Sequence, residues 1–175
     1  MCLPPRKRAI DYGSAEQMTD LPVYRATLEA DWIDYNGHLR DAYYGLVASY
    51  AVDAVMDNLG LDAAYRNSTR CTLYTLEMHL HYLHEVKSSD ALEVRPSVLD
   101  FDAKRIHLGC MFSCSRVEAA VATADMMLLH VHQGEKVASA RLPEGTQALL
   151  AELKASAAAR APFAPGSRKI ELKRR

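Results

Sequence analysis

Several large classes of protein are excluded by what this chain does not have. No apolar run approaches the roughly 20 residues of a membrane-spanning helix, so no membrane partner is expected. The opening residues Met1-Cys2-Leu3-Pro4-Pro5-Arg6-Lys7-Arg8 carry charge with no apolar stretch behind it, unlike a secretory leader. Charge of one sign is missing as well. Lys and Arg number 21 against 22 Asp and Glu, so the net charge of −1 leaves no electrostatic footprint for nucleic acid. The four cysteines, Cys2, Cys71, Cys110 and Cys114, make no Cys-x-x-Cys pair and no secreted disulfide framework. Reduced thiols and a cytoplasmic protein are expected, and the Asn67-Ser68-Thr69 sequon has no meaning without secretion. What remains is 175 residues, 49% hydrophobic and 25% charged, enough for one domain with a real core.

Residues 1–20 are polar and mixed in charge and read as a loose arm; residues 158–175 read as a basic, solvated tail. Residues 21–157 form the expected domain. Within it, Tyr43, Leu46, Val47, Tyr50, Ala51, Ala54 and Val55 recur at steps of three and four. The pattern predicts a helix from Asp41 as N-cap to Leu59, stopped by Gly60 and roughly 28 Å long. The period then changes to two. Tyr74, Leu76, Met78, Leu80 and Tyr82 predict a half-buried strand, with Thr75, Glu77, His79 and His81 on its other face. Further strands are predicted over Leu92–Leu99, Lys104–Ser115 and Ala119–His132, with Pro96 marking an edge or a bulge in the first of them. Their short links predict antiparallel neighbours. Pro143 to Ala155 reads as a last amphipathic helix, with Leu149, Leu150 and Leu153 on one side. One long helix on one antiparallel sheet is an α+β fold, and its open sheet edges call for a homo-oligomer.

Ahead of the long helix stands Asp34-Tyr35-Asn36-Gly37-His38, preceded by a short alternating run from Val23 to Leu28. A helix start carries free N–H groups and a positive partial charge. A carboxylate beside it can attack or deprotonate while the N–H groups stabilise a developing oxyanion. The same Asp-x-x-Gly pattern is ordinary turn chemistry, and a turn role for Asp34 is the alternative. His79-x-His81 and His130-x-His132 each place two imidazoles on one strand face, with His107 as a further ring; metal ligation is the sharper reading, a solvated, core or interface face the plainer one, and no metal is expected. Cys110 and Cys114 share a strand face with Leu108 and Phe112 and read as buried apolar thiols.

The element order and the Asp34-x-x-Gly37-His38 motif resemble the hotdog-fold acyl-CoA thioesterases, in their 4-hydroxybenzoyl-CoA thioesterase-like branch, over about residues 21–135. The resemblance implies a long central helix wrapped by an antiparallel sheet, an acyl-CoA substrate, no cofactor, and a homodimer or homotetramer. It implies Asp34 as the catalytic carboxylate, acting as base or nucleophile, Gly37 as the turn, and the main-chain N–H of Asp41 as the group that polarises the thioester carbonyl. His38 is the fourth residue of that set, orienting Asp34, touching the thioester, or bonding the loop. Two features depart from the branch: Arg40-Asp41 stands where many members have two asparagines, and Trp32 where many have a polar or acidic residue. A narrower likeness runs through Trp32 to His38, Tyr43-Tyr44 and Glu77-x-His79-x-x-Tyr82-Leu83, and is to the betainyl-CoA thioesterases of bacterial carnitine breakdown. Nine tyrosines against three phenylalanines agree with it, because a trimethylammonium group binds well to aromatic faces. Trp32, Tyr35, Asn36, Tyr43 and Tyr44 are therefore the expected substrate-binding residues, with Tyr74 and Tyr82 near them; their plainer reading is amphipathic core. Arg70, Lys104, Arg105, Arg116 and Arg141 are candidates for CoA phosphates and equally surface charges. The rival function is a hotdog module that binds acyl-CoA or a carrier protein without cleaving it.

Overall fold

The computed structural model describes residues 10–11 and 20–159, so the basic-tail reading and most of the arm reading fall outside the described residues. In chain order the elements are strands β1 (Ile10–Asp11) and β2 (Val23–Ala26), helices α1 (Asp41–Asn58) and α2 (Ala63–Thr69), and strands β3 (Cys71–Tyr82), β4 (Leu92–Phe101), β5 (Arg105–Cys114), β6 (Val117–Gln133) and β7 (Val137–Ser139), followed by helix α3 (Glu144–Ala158). A short 3-10 turn at Ala30–Trp32 precedes the motif.

The strands form one antiparallel sheet in the order β1-β2-β4-β5-β6-β3, with β7 added to β6. Short links do join neighbours at β4–β5 and β5–β6, but the expectation fails between β3 and β4. β3 pairs with β6 at the sheet's edge, and residues 83–91 cross the end of the sheet to reach β4. Spanning three strand spacings of about 4.8 Å needs roughly 14 Å, well within the reach of nine residues.

α1 covers one face. Tyr44, Val47, Ala48, Ala51, Val52, Ala54, Val55 and Met56 are buried, most of them in one cluster with Val94, Ile106, Leu108, Phe112, Ala122, Ala124, Met126 and Leu128. Phe112 has no exposed surface, and its truncation to Ala would cost about 3–5 kcal/mol. α3 packs against β4: Leu150 and Leu153 are buried, and Thr146 Oγ1 donates to the carbonyl of Leu59, the C-cap of α1, at 3.1 Å. Pro96 lies in β4 just past the stretch that pairs with β2, where its missing N–H costs no ladder bond.

Two sequence expectations change in β3 and α1. A bulge between Thr75 and Glu77 flips the alternation, so Leu73 before it and Met78 and Leu80 after it face the core. Leu76 is left 56% exposed, and Tyr74 turns to Gln133 instead of the site. The N-cap of α1 is Arg40, not Asp41, and no side chain caps it; Asp41 is the first helical residue and its Oδ1 accepts its neighbour Ala42's N–H at 2.8 Å. Between Gly60 and β3 the chain forms α2, capped by Asp62, whose Oδ1 accepts the Tyr65 N–H at 2.9 Å.

Candidate active site

Residues 32–40 form a small hairpin. The Arg40 N–H donates to the Trp32 carbonyl at 2.9 Å, the Asp34 N–H to the His38 carbonyl at 2.8 Å, and the Gly37 N–H to the Asp34 carbonyl at 3.0 Å. Gly37 turns the chain at φ +82, a left-handed conformation that side chains rarely adopt. The returning arm is pinned to the β3–β4 link, where the Leu39 N–H meets the Val86 carbonyl at 2.7 Å and His38 bridges Lys87.

This folding fixes the Asp34 carboxylate. Its Oδ1 accepts the N–H of Asn36 at 2.8 Å and of His38 at 3.0 Å. The His38 N–H does most, and with Asn36 it outweighs partial burial to hold the Asp34 carboxyl below the usual carboxylate range. Oδ2 makes no hydrogen bond among the described residues. The turn chemistry and an available carboxylate oxygen therefore coexist in one side chain. Immediately after the hairpin, α1 begins. The Ala42 N–H is taken by Asp41 Oδ1 and the Tyr43 N–H by the Arg40 carbonyl at 3.1 Å, whereas the Asp41 N–H has no acceptor among the described residues. An unpaired N–H at a helix start is the geometry that binds a developing negative charge.

His38 works through two atoms: its N–H holds Asp34, and its Nε2 lies 3.1 Å from Glu85 Oε2. Glu85 belongs to the link that crosses the sheet's end. Arg116 ties that link down, donating to the Glu85 carbonyl at 2.7 Å and to buried Asp90 at 3.3 Å, and Asp90 in turn accepts the Lys87 N–H at 2.9 Å. Between link and helix start opens a shallow cleft of about 290 Å³ lined by Leu39, Asp41, Tyr44, Tyr82, Leu83, His84 and Glu85. The Tyr82 hydroxyl donates to the Asp41 carbonyl at 3.2 Å, and its ring stands edge-on to Tyr44 at 5.3 Å.

The expected aromatic residues do not converge into one cage within the chain. Trp32 and Tyr43 stack on each other with centroids 5.2 Å apart, Tyr35 is 94% exposed, and Tyr44 is buried at 3% with its hydroxyl pushed up to about 12 by desolvation. Asn36 contributes its N–H to the turn. His84 and Glu85 escaped the sequence reading, although the likeness that ended at Tyr82-Leu83 stopped two residues short of Glu85. Far from here, at the opposite end of β5 and β6, Lys104 and Arg105 line a second cleft of about 490 Å³ with Asp102, Ala103, Leu129 and Ser139.

The other sequence candidates settle elsewhere. His130 is buried, 2.9 Å from the Tyr65 hydroxyl and 3.1 Å from the Ala140 carbonyl. His79 pairs with Glu77 at 2.8 Å and His107 with Asp125 at 2.5 Å. Among the described residues, no three His, Cys, Asp or Glu side chains are grouped to hold a metal ion. Cys110 is fully buried, which pushes its thiol up to about 12, and Cys114 is buried beside it on the strand.

A model of the thioesterase-like superfamily matches residues 28–151. The chain belongs to that superfamily: its fold is the hotdog fold, and it is a thioester hydrolase. Among curated relatives, the betainyl-CoA thioesterase of Pseudomonas aeruginosa is 46% identical over 111 residues, covering 63% of this chain and 70% of that protein. The L-carnitine dehydrogenase/betainyl-CoA thioesterase of Agrobacterium fabrum is 37% identical over 119 residues, 68% of this chain but only 24% of that longer protein. The solved structure of a provisionally named thioesterase from Pseudomonas putida KT2440 superposes with a TM-score of 0.72 at 35% identity, covering 97% of this chain and all of that one.

Proposed function

We propose that the chain hydrolyses acyl-CoA thioesters at the junction of the motif hairpin and α1, and that betainyl-CoA is its substrate. The observation that carries the site is the Asp41 N–H, unpaired among the described residues, set one hairpin away from a carboxylate oxygen that is equally unpaired among them. In this reading the thioester carbonyl oxygen takes the Asp41 N–H. Asp34 Oδ2 then either removes a proton from the attacking water or attacks the carbonyl carbon itself; the carbon–sulfur bond breaks and CoA leaves as thiolate. In the second route water then opens the resulting mixed anhydride. Gly37 and Asn36 hold the turn, and His38 holds Asp34 through its N–H.

The acyl group is drawn from the named activity of the two curated relatives. A thiol-release assay with betainyl-CoA beside short and medium straight-chain acyl-CoAs tests it. Turnover of betainyl-CoA at least tens-fold above the others is expected; equal rates would remove it and leave thioester hydrolysis standing.

The unit in solution is a homo-oligomer in this reading. β3 is an edge strand with exposed Tyr74 and Leu76, and a second copy laid along it would cover these two and border the cleft. CoA thioesters and the free thiols Cys71, Cys110 and Cys114 both agree with the cytoplasm.

A further inference from the structure

We infer that the cleft between α1 and the β3–β4 link is the subsite for a cationic acyl head group, with Glu85 and Tyr82 as its specificity-determining residues. The inference rests on the betainyl-CoA reading and deepens it. The stacked Trp32 and Tyr43 rings turn one face each toward the other, and Tyr44 is buried, so the aromatic residues expected from the motif offer no common open surface. The cleft does. Tyr82 is 49% exposed, and Leu39 and Leu83 add apolar wall. Two carboxylates border it. Glu85 uses Oε2 toward His38, leaving Oε1 without a partner among the described residues, and Asp41 uses Oδ1 on the Ala42 N–H, leaving Oδ2 likewise. The lining residues carry no Lys or Arg.

Connectivity of the substrate places the cation there. In a betainyl thioester one methylene separates the quaternary nitrogen from the carbonyl carbon. A carbonyl oxygen held by the Asp41 N–H therefore leaves the trimethylammonium group beside Asp41, in the cleft that Asp41 itself lines. About 290 Å³ lies at the lower bound of drug-sized pockets, roughly 300–1,000 Å³, and suits a head group of a few heavy atoms. Carboxylate charge also offsets the positive end of the helix, which by itself would repel a cation. Tyr82 supplies a ring face, and its hydroxyl is already tied to the Asp41 carbonyl, so its orientation is set before substrate arrives.

The test compares kcat/KM for betainyl-CoA with that for 3,3-dimethylbutyryl-CoA, which has the same shape and no charge, in wild type, Glu85→Gln and Tyr82→Leu. Wild type is expected to prefer the cation tens-fold or more, Glu85→Gln to reduce that preference at least about tenfold, and Tyr82→Leu about threefold or more. A wild type with no preference would overturn the betainyl reading and this inference together. A preference that survives in Glu85→Gln, or a Glu85→Gln enzyme that loses both substrates in equal proportion, would leave the betainyl reading intact and reduce Glu85 to a holder of His38. If Glu85→Gln does not fold, the Tyr82→Leu ratio decides by itself: an unchanged ratio overturns the inference.

Discussion

The two ends of the sheet each carry a cleft lined by charged groups, and they differ in one respect. At the turn end, Asp102 Oδ1 accepts the N–H groups of Lys104 and Arg105, its Oδ2 accepts both Arg105 Nε and Nη2, and Lys104 Nζ donates to Ser139. At the hairpin end, one N–H and three carboxylate oxygens, on Asp34, Asp41 and Glu85, stand without partners among the described residues. The first arrangement holds a turn; in the proposed reading a substrate completes the second. Charge alone does not tell the two apart, but hydrogen-bond satisfaction does.

The contrast breaks most sharply at Asp34. Asp34→Asn keeps the shape of the turn and removes the base or nucleophile, so turnover should fall on the order of 10²–10⁴ with the fold retained. An activity above about a tenth of wild type would make Asp34 a turn residue and nothing more. In the wild type, the acid limb of kcat/KM should lie below the ordinary aspartate value of about 3.9, because the His38 and Asn36 N–H groups favour the ionised form.

Next in size is the edge of the sheet. Leu76→Arg puts charge on the exposed row of β3 and should weaken self-association at least about tenfold in sedimentation, with activity falling alongside. An active wild-type monomer at micromolar concentration would remove the oligomer from the proposal.

At the paired cleft the effects should be on stability alone. Burial works against the Asp102 charge, but the Arg105 guanidinium and two N–H groups outweigh it and hold the carboxyl below its usual range. Such a group stabilises the fold above its unfolded pKa, and that contribution is lost as pH falls through the folded value. Asp102→Asn should therefore lower Tm by about 2–4 °C at pH 7, with the gap closing as pH falls below the ordinary aspartate range and kcat unchanged. A kcat loss would mean that this cleft also belongs to the site.

The smallest effect concerns His130. Burial pushes its imidazole down despite the opposing bond to Ala140, so the unfolded chain takes up a proton near the ordinary value of about 6.5 that the folded chain refuses. Stability should fall as pH drops below that value, and a His130→Gln variant should show a flatter Tm profile between pH 6.5 and 5. Parallel profiles would assign the slope to other groups.

Local signals carried the sequence reading far. Hydrophobic period located α1, β3, β4, β5, β6 and α3 to within a few residues, since each face is decided by neighbours three, four or two positions away. The motif also marked the junction on which the proposed chemistry is placed. Three things were not legible, and each is non-local or single-residue. The partner of β3 is chosen by the whole sheet. Its bulge is one extra residue that flips the face of everything before Glu77. Glu85 lies far along the chain from His38 and meets it only because the link crosses the sheet's end. The misplaced cap is instructive in another way: Asp41 has a capping side chain, yet that side chain goes to Ala42, and the Asp41 N–H has no acceptor among the described residues.

The placement of β3 also has a consequence for synthesis. β3 leaves the ribosome before β4 and β5, yet its partner is β6; Cys71 meets its opposite residue only at His132, and Tyr82 at Ala122. At about 5–20 residues per second, several seconds separate the emergence of this strand from that of its mate. During that interval Leu73, Met78, Leu80 and the tyrosines around them hang on a chain that has nowhere to dock them. The growing polypeptide thus passes through a window of self-adhesion set by topology, and slowing translation between codons 83 and 117 would lengthen it.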